Sequence, residues 1–253
     1  MTTYTRDFHK NLHQKTESAA DLIAGMVLDL FPHIRSAIDV GCGLGTWLRA
    51  FAKRGVEHIV GLDGSWVDRP KLLIPESSFV ETDLNAPLQW PGRYDLAVCL
   101  EVAEHLLEQQ ADPLVDFLAS KSDVVLFSAA IPRQGGPFHV NEQWPSYWVA
   151  KFSRHGMLVL DVLRQAIWEQ VNVPYWYRQN LLLVVGAEAM KKRKRAGWEQ
   201  PSLPLDLVHP YLFMEVTEPP TLRAAVKQLG GAMRRSVRRR FCRGSRAGGA
   251  SAG

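Results

Sequence analysis

The chain has 253 residues, of which 46% are hydrophobic and 22% charged, and its formal net charge is +4. These proportions are typical of a folded globular protein and argue against a disordered, collagen-like or coiled-coil chain. The sequence holds no apolar run of about 18 residues, no N-terminal secretion signal and only three cysteines, so we expect a cytoplasmic protein.

The charge is unevenly distributed. Residues 188–253 carry 14 Lys and Arg against 5 Asp and Glu, which leaves residues 1–187 with a net charge of −5. We therefore expect a mildly acidic domain over 1–187 and a basic tail over 188–253. Because the domain is acidic, an enzyme that binds nucleic acid across its main face is not favoured.

The hydrophobic pattern predicts an α/β fold. The strands at the front of the chain are short, continuously apolar and separated by helices, which is typical of a parallel sheet buried on both faces. The predicted strands are 36–40, 58–62, 78–81, 94–100, 123–128, 157–162 and 181–186. The predicted helices are 17–31, 46–53, 101–109, 114–120 and 145–155.

Residues 221–241 of the tail have apolar side chains at helical spacing and arginines between them, which predicts a basic amphipathic helix. Such helices lie on anionic membrane surfaces, so we expect peripheral membrane association. Contact with nucleic acid, docking on a partner protein or packing on the body would produce a similar pattern. The small-residue end of the chain is expected to be disordered.

A glycine-rich turn follows the first predicted strand. Asp39 is followed by Gly41, Gly43 and Gly45, so the backbone can turn tightly and a ligand can approach the start of the next helix. The spacing differs from a dinucleotide fingerprint, and the Gly-Lys-Ser/Thr of a phosphate loop is absent. An acid before the glycines suits a cationic ligand.

Two more acids lie at the ends of the next strands. Asp63 closes the second strand, where it can accept both hydroxyls of a ribose, and Asp83 follows the third. Each of them alone could be a turn or helix-capping residue. Together with Asp39 they predict a nucleoside pocket at one edge of the sheet.

The segments DVGCGLG, LDG, ETDL and YDLAVCLEVAEHL resemble, in order and spacing, the class I S-adenosylmethionine-dependent methyltransferases. The resemblance covers about residues 15–186. It implies a Rossmann-like, seven-stranded, mostly parallel sheet with helices on both faces and a reversed final hairpin. It further implies S-adenosylmethionine as the cofactor.

The resemblance also implies roles for single residues. Asp39 and the 41–45 turn would hold the methionine part, and Asp63 would bind the ribose. Asp83 and Leu84 would bind the adenine, and Glu101 would lie near the sulfonium end.

The segments FSAAIPRQGGPFHVNEQWPSYW and WYRQN resemble a bacterial branch often associated with methylation of sugars or other small metabolites. This resemblance implies a small-molecule acceptor, in particular a hydroxyl of a sugar or glycan precursor. Two alternatives remain: an RNA methyltransferase delivered by the basic tail, and a non-catalytic scaffold that binds the cofactor.

Methyl transfer to a hydroxyl usually needs a group that removes a proton. Glu101, Glu104 and His105 are predicted on one face of the helix 101–109 and are candidates. His139 is the first choice, because imidazole titrates near neutrality. No metal is expected, because the three helix residues lack a further ligand and HExxH is absent.

Polar and aromatic side chains near His139 and before the last strand are candidates for acceptor binding. Hydrogen-bonding groups suit a polyol, and rigid rings suit stacking on sugar faces. The candidates are Asn141, Glu142 and Trp144, with Tyr175 and Tyr177 as lid residues.

Overall fold

The computed structural model describes residues 6–195 and 205–217. By its internal contacts the chain divides into two units, Met1–Leu212 and Phe213–Gly253. The predicted amphipathic helix 221–241 and the chain end lie outside the described residues.

The first unit contains the predicted seven-stranded sheet, in the order β3-β2-β1-β4-β5-β7-β6. Strand β7 runs antiparallel to its neighbours β5 and β6, while the other pairs are parallel. The strands are β1 Ser36–Val40, β2 His58–Asp63, β3 Phe79–Glu81, β4 Leu96–Leu100, β5 Val124–Ser128, β6 Leu158–Val159 and β7 Leu182–Val185. The α/β fold class and the reversed final strand are thus confirmed.

Helices cover both faces of the sheet. Successive strand residues point to opposite faces, so each strand contributes to two cores. In β4, Leu96 and Val98 join the core that includes α1 and α2, while Ala97 and Cys99 join the core that includes α3 and α4. The helices are α1 Arg6–Leu30, α2 Thr46–Ala52, α3 Ala111–Lys121, α4 Pro145–Ser153, α5 Leu163–Ile167, α6 Tyr175–Asn180, α7 Ala187–Lys192 and α8 Pro210–Thr217. Among the described residues, no helix is long and apolar enough to cross a membrane.

The predicted helix 101–109 is wrong. Two short 3-10 turns, Ala103–His105 and Glu108–Gln110, stand in its place. Glu101 has a φ of 55°, and its amide donates to Ser128, which prevents a helical start at this point. The carbonyl of Glu104 accepts from the amides of Val140 and Asn141, so a neighbouring loop replaces the helical hydrogen bond.

The parallel register brings the predicted site residues to one edge of the sheet. Asp39 pairs with Gly61 of β2 on one side and with Val98 of β4 on the other. The chain thus adds β2 and β3 on one side of β1 and β4 and β5 on the other, so the strand order reverses at β1. Open α/β sheets bind ligands at such a reversal, beyond the carboxyl ends of their strands.

Candidate active site

The glycine turn after β1 leaves no room for a side chain at Gly41 or Gly45. Gly41, Gly43 and Gly45 all have positive φ values, of 79°, 53° and 81°. A Cβ on Gly41 would lie 2.3 Å from Val102 Cγ2, and a Cβ on Gly45 would lie 2.8 Å from Ile74. The turn can therefore present its backbone closely to a ligand at the start of α2.

Asp39 lies at the floor of this turn with only 2% of its surface exposed. Its Oδ2 atom has no hydrogen-bond partner within the described part of the chain. Burial raises the pKa of the Asp39 carboxyl well above its usual range, and the nearby charge of Asp63 raises it further. A buried carboxylate without a partner is costly, so this site favours a ligand that brings a positive charge or a donor.

Asp63 connects the glycine turn to the end of β2. It is 5% exposed, and its two carboxylate oxygens accept from the amides of Gly43 and Gly64, each at 2.6 Å. Each oxygen keeps a further acceptor site for a ligand hydroxyl. Next to Asp63, the ring of Trp66 packs over Gly64 so closely that a Cβ on Gly64 would not fit, and Trp66 is 70% exposed. Trp66 was not identified from the sequence.

Asp83 and Leu84 follow β3. Asp83 is exposed, and its Oδ1 atom accepts from the amide of Asn85 at 2.9 Å, which is the turn geometry considered as the alternative role. Leu84 is 5% exposed and packs in the apolar cluster that contains Val40 and Leu62.

Glu101, after β4, is held by side-chain amides. Asn180 Nδ2 donates to Oε1 and Gln134 Nε2 donates to Oε2, both at 3.2 Å, and Gln179 Nε2 donates to Asn180 Oδ1 at 2.9 Å. Burial raises the pKa of Glu101, which these hydrogen bonds partly offset. Gln179 and Asn180 were missed as functional residues, although both belong to the WYRQN segment.

Glu104, His105 and His139 form what we call the acid–histidine cluster. Each offers a nitrogen or oxygen atom that lies within 4.8 Å of the others, and the two imidazole centroids are 4.9 Å apart. Burial raises the pKa of Glu104 to about 9, with the charge of Glu101 as the next cause. Burial, and then the neighbouring His139, lowers the pKa of His105.

His139 is positioned by Glu142. Its Nδ1 atom lies 3.0 Å from Glu142 Oε1. The same carboxylate accepts from the amides of Arg133 at 2.8 Å and Gly135 at 2.7 Å. Both oxygens of Glu142 thus accept hydrogen bonds within the loop, so this residue orders the loop around His139.

Two other predicted acceptor-binding residues lie in the same loop. Asn141 is 3% exposed, and its Oδ1 atom accepts from Gln143 while its Nδ2 atom has no partner among the described residues. Trp144 is 37% exposed at the start of α4. Asn141 can therefore still donate a hydrogen bond to a ligand.

The two tyrosines predicted as lid residues lie on α6 in different surroundings. Tyr177 is 6% exposed and its ring packs edge-on against Trp47 at 5.2 Å, so it belongs to the core and not to an exposed lid. Burial raises its pKa, and Glu101 and Asp39 are close enough to add to this effect. Tyr175 is partly exposed and stacks on Tyr211, with ring centroids 5.1 Å apart.

A methyltransferase domain family matches residues 10–169, more than half of the sequence. The chain belongs to this methyltransferase domain family. Among curated proteins, none matches the sequence closely enough to count as a relative.

Solved structures of methyltransferases are similar in fold. DesVI from Streptomyces venezuelae has a TM-score of 0.56 and 16% identity, over 71% of this chain and 95% of that chain. Magnesium protoporphyrin IX methyltransferase from Synechocystis PCC 6803, with bound S-adenosylhomocysteine, has a TM-score of 0.53 and 16% identity over 74% and 90%. CalS10 from Micromonospora echinaspora is an amino pentose methyltransferase whose structure contains S-adenosylmethionine. It has a TM-score of 0.53 and 15% identity, over 73% of this chain and 98% of that chain.

Proposed function

We propose that this methyltransferase uses S-adenosylmethionine and transfers the methyl group to a hydroxyl of a sugar or another small polyol. The observation that carries the proposal is the buried, partly unpartnered carboxylate of Asp39 beside a turn that has no room for a side chain at Gly41 or Gly45. The α-ammonium group of a bound cofactor would supply the donor that this carboxylate lacks. Asp63, whose oxygens keep free acceptor sites, suits the two ribose hydroxyls.

Chemically, the bound cofactor supplies a sulfonium-activated methyl group. The protein must hold the acceptor oxygen in line with that carbon, exclude water and receive the hydroxyl proton. Glu101, Glu104 and His105 follow β4, which neighbours the strand β1 that carries Asp39. His139 joins them from the loop after β5. We assign the activation of the acceptor to these four side chains.

A sugar-like acceptor is supported by the donors and acceptors around Glu101. Gln134, Gln179 and Asn180 form a hydrogen-bonded amide network, and Asn141 has an unpartnered amide nitrogen among the described residues. Such groups suit the hydroxyls of a polyol better than an apolar acceptor. The amino pentose acceptor of CalS10 is consistent with this choice.

Transfer of label tests the proposal directly. We expect the purified protein to move a labelled methyl group from S-adenosylmethionine to at least one member of a panel of free, lipid-linked and nucleotide-linked sugars. RNA and cell lysate serve as competing acceptors in parallel reactions. Label found in RNA would replace the sugar hypothesis, and cofactor binding without transfer to any acceptor would indicate a scaffold.

Asp39→Asn is expected to weaken cofactor binding without destabilising the empty protein. Because the pKa of Asp39 is raised in the folded state, its contribution to stability is present at acid pH and is lost as the pH rises from about 4 toward the raised pKa. The amide has no proton to lose, so the variant lacks this pH-dependent loss. Calorimetry with the cofactor, and urea unfolding at pH 5 and pH 7, measure the two effects.

Asp116→Asn is the matched control for this experiment, because Asp116 is an exposed carboxylate paired with His155. We expect it to keep the affinity of the unmodified protein. Equal cofactor affinity in Asp39→Asn and Asp116→Asn would contradict the role of Asp39.

A further inference from the structure

We propose that the acid–histidine cluster is a binding site for a divalent transition-metal ion, with Glu104, His105 and His139 as its protein ligands. The three residues come from two segments: Glu104 and His105 lie in the 3-10 turn after β4, and His139 lies in the loop after β5. Even so, their potential ligand atoms all lie within 4.8 Å of one another. This reverses the expectation of no metal, which counted only residues close in sequence.

The carboxylate of Glu104 has surroundings that call for a cation. Glu104 is fully buried, and neither of its oxygens has a hydrogen-bond partner of normal geometry among the described residues, although the amides of Glu104 and Ala130 point toward it. The carboxylate of Glu101 lies close by and adds a second negative charge. A buried acid with no partner is costly, and a bound dication would compensate for it.

Both histidines have the outer contacts that metal-binding histidines need. Such residues commonly donate their second ring N–H to a carboxylate or a backbone carbonyl, which sets the tautomer and the ring orientation. His139 meets the carboxylate of Glu142 through Nδ1 at 3.0 Å, and the ring of His105 lies beside the backbone of Phe138. Gly136 gives the His139 ring its room, since a Cβ there would lie 2.3 Å from Nε2.

The ligand types indicate the class of metal. One carboxylate and two imidazoles suit first-row ions from Mn²⁺ to Zn²⁺, whereas Mg²⁺ and Ca²⁺ prefer sites made of oxygen alone. Three protein ligands leave positions for water and for an acceptor oxygen. Because all three proposed ligands belong to the protein, we expect it to bind the ion even when cofactor and acceptor are absent.

The use of the ion in catalysis rests on the proposed function. An acceptor hydroxyl on the ion loses its proton more readily. The proton passes to the carboxylate of Glu101, the acceptor oxygen forms its bond to the methyl carbon, and the carbon–sulfur bond of the sulfonium breaks to leave a thioether. The metal keeps its oxidation state, so no redox partner is needed.

The test measures metal binding directly. The purified full-length protein is freed of metal with a chelator and titrated with Mn²⁺, and electron paramagnetic resonance reports the loss of the signal of the free ion. We expect one strong site per chain, for which Zn²⁺ competes and Mg²⁺ does so only weakly. Glu142→Gln, which changes an outer contact, should weaken binding by about 10–100-fold.

Glu104→Gln and His139→Ala should weaken Mn²⁺ binding by more than Glu142→Gln does. His155→Ala, at an exposed histidine–carboxylate pair of the same chemistry, should leave it unchanged. Circular dichroism and cofactor calorimetry identify any variant that fails to fold. If His139→Ala fails to fold, Glu104→Gln still tests the site, because it keeps the shape of the side chain. Unmodified protein that binds no Mn²⁺, or binding that Glu104→Gln and His139→Ala both leave intact, would overturn the metal site.

Failure of this proposal is separable from failure of the proposed function. Methyl transfer to a sugar that continues at full rate in excess chelator would refute the role of the metal in catalysis and leave the methyltransferase function in place. Mn²⁺ binding that depends on Glu104 and His139, in a protein that transfers no methyl group to any sugar, would support the metal and refute the acceptor.

Discussion

His139→Ala is expected to lower kcat for methyl transfer by about 10²–10⁴-fold, the range lost when acid–base assistance to a reacting group is removed. His139 lies in the loop held by Glu142, and its ring contacts that of His105. It lies on a different segment of the chain from Asp39, which is in β1, and from the glycine turn. Cofactor affinity by calorimetry should therefore stay unchanged while turnover falls.

The same variant separates the two roles that His139 can have. As a direct proton acceptor, the role predicted from sequence, it would support turnover that chelators do not affect. As a metal ligand, it makes the turnover of the unmodified protein depend on a bound ion. His155→Ala is the control for the loss of an imidazole, and full activity of His139→Ala in the absence and presence of Mn²⁺ would exclude both roles.

The sheet and its ligand-bearing edge could be predicted because the relevant signals are local. Strands β4 and β5 are buried at every position, so they are continuously apolar in sequence. The positive φ values at Gly41 and Gly45 are of a kind that glycine adopts readily, so the turn was visible too. Asp39 and Asp63 followed from their places at strand ends.

The helix 101–109 failed for a physical reason. The spacing of Glu101, Glu104 and His105 fits a helix, but tertiary contacts decide the backbone here. Glu101 is fixed with positive φ by hydrogen bonds from its amide to Ser128 on the adjacent strand. No local pattern contains that contact.

The acid–histidine cluster was missed for the same kind of reason. His139 comes from a loop whose path depends on Glu142 accepting from the amides of Arg133 and Gly135. The amides of Val140 and Asn141 then join this loop to the carbonyl of Glu104. The proximity of His139 to Glu104 is thus a product of long-range hydrogen bonds, and counting ligands within one segment could not reveal it.

Gly41→Ala is expected to have the largest effect on the cofactor pocket. The left-handed backbone, with φ of 79°, costs a side chain about 1–2 kcal/mol, and the clash of a Cβ 2.3 Å from Val102 Cγ2 adds about 1–3 kcal/mol. We therefore expect the free energy of unfolding to fall by about 2–5 kcal/mol. Urea unfolding measures this loss.

Gly55→Ala separates backbone strain from the clash. Gly55 has a φ of 94°, and a Cβ there would meet nothing within 4 Å, so only the backbone cost of about 1–2 kcal/mol applies. It follows α2 and precedes β2, away from the carboxyl ends of the strands, so cofactor affinity should stay unchanged. In Gly41→Ala, affinity should fall by about tenfold for each 1.4 kcal/mol needed to restore the native turn.

Because Val102 follows Glu101 and precedes Glu104, its displacement should also weaken Mn²⁺ binding. Equal cofactor affinity in the two variants would show that the close approach of Gly41 to Val102 does not shape the pocket.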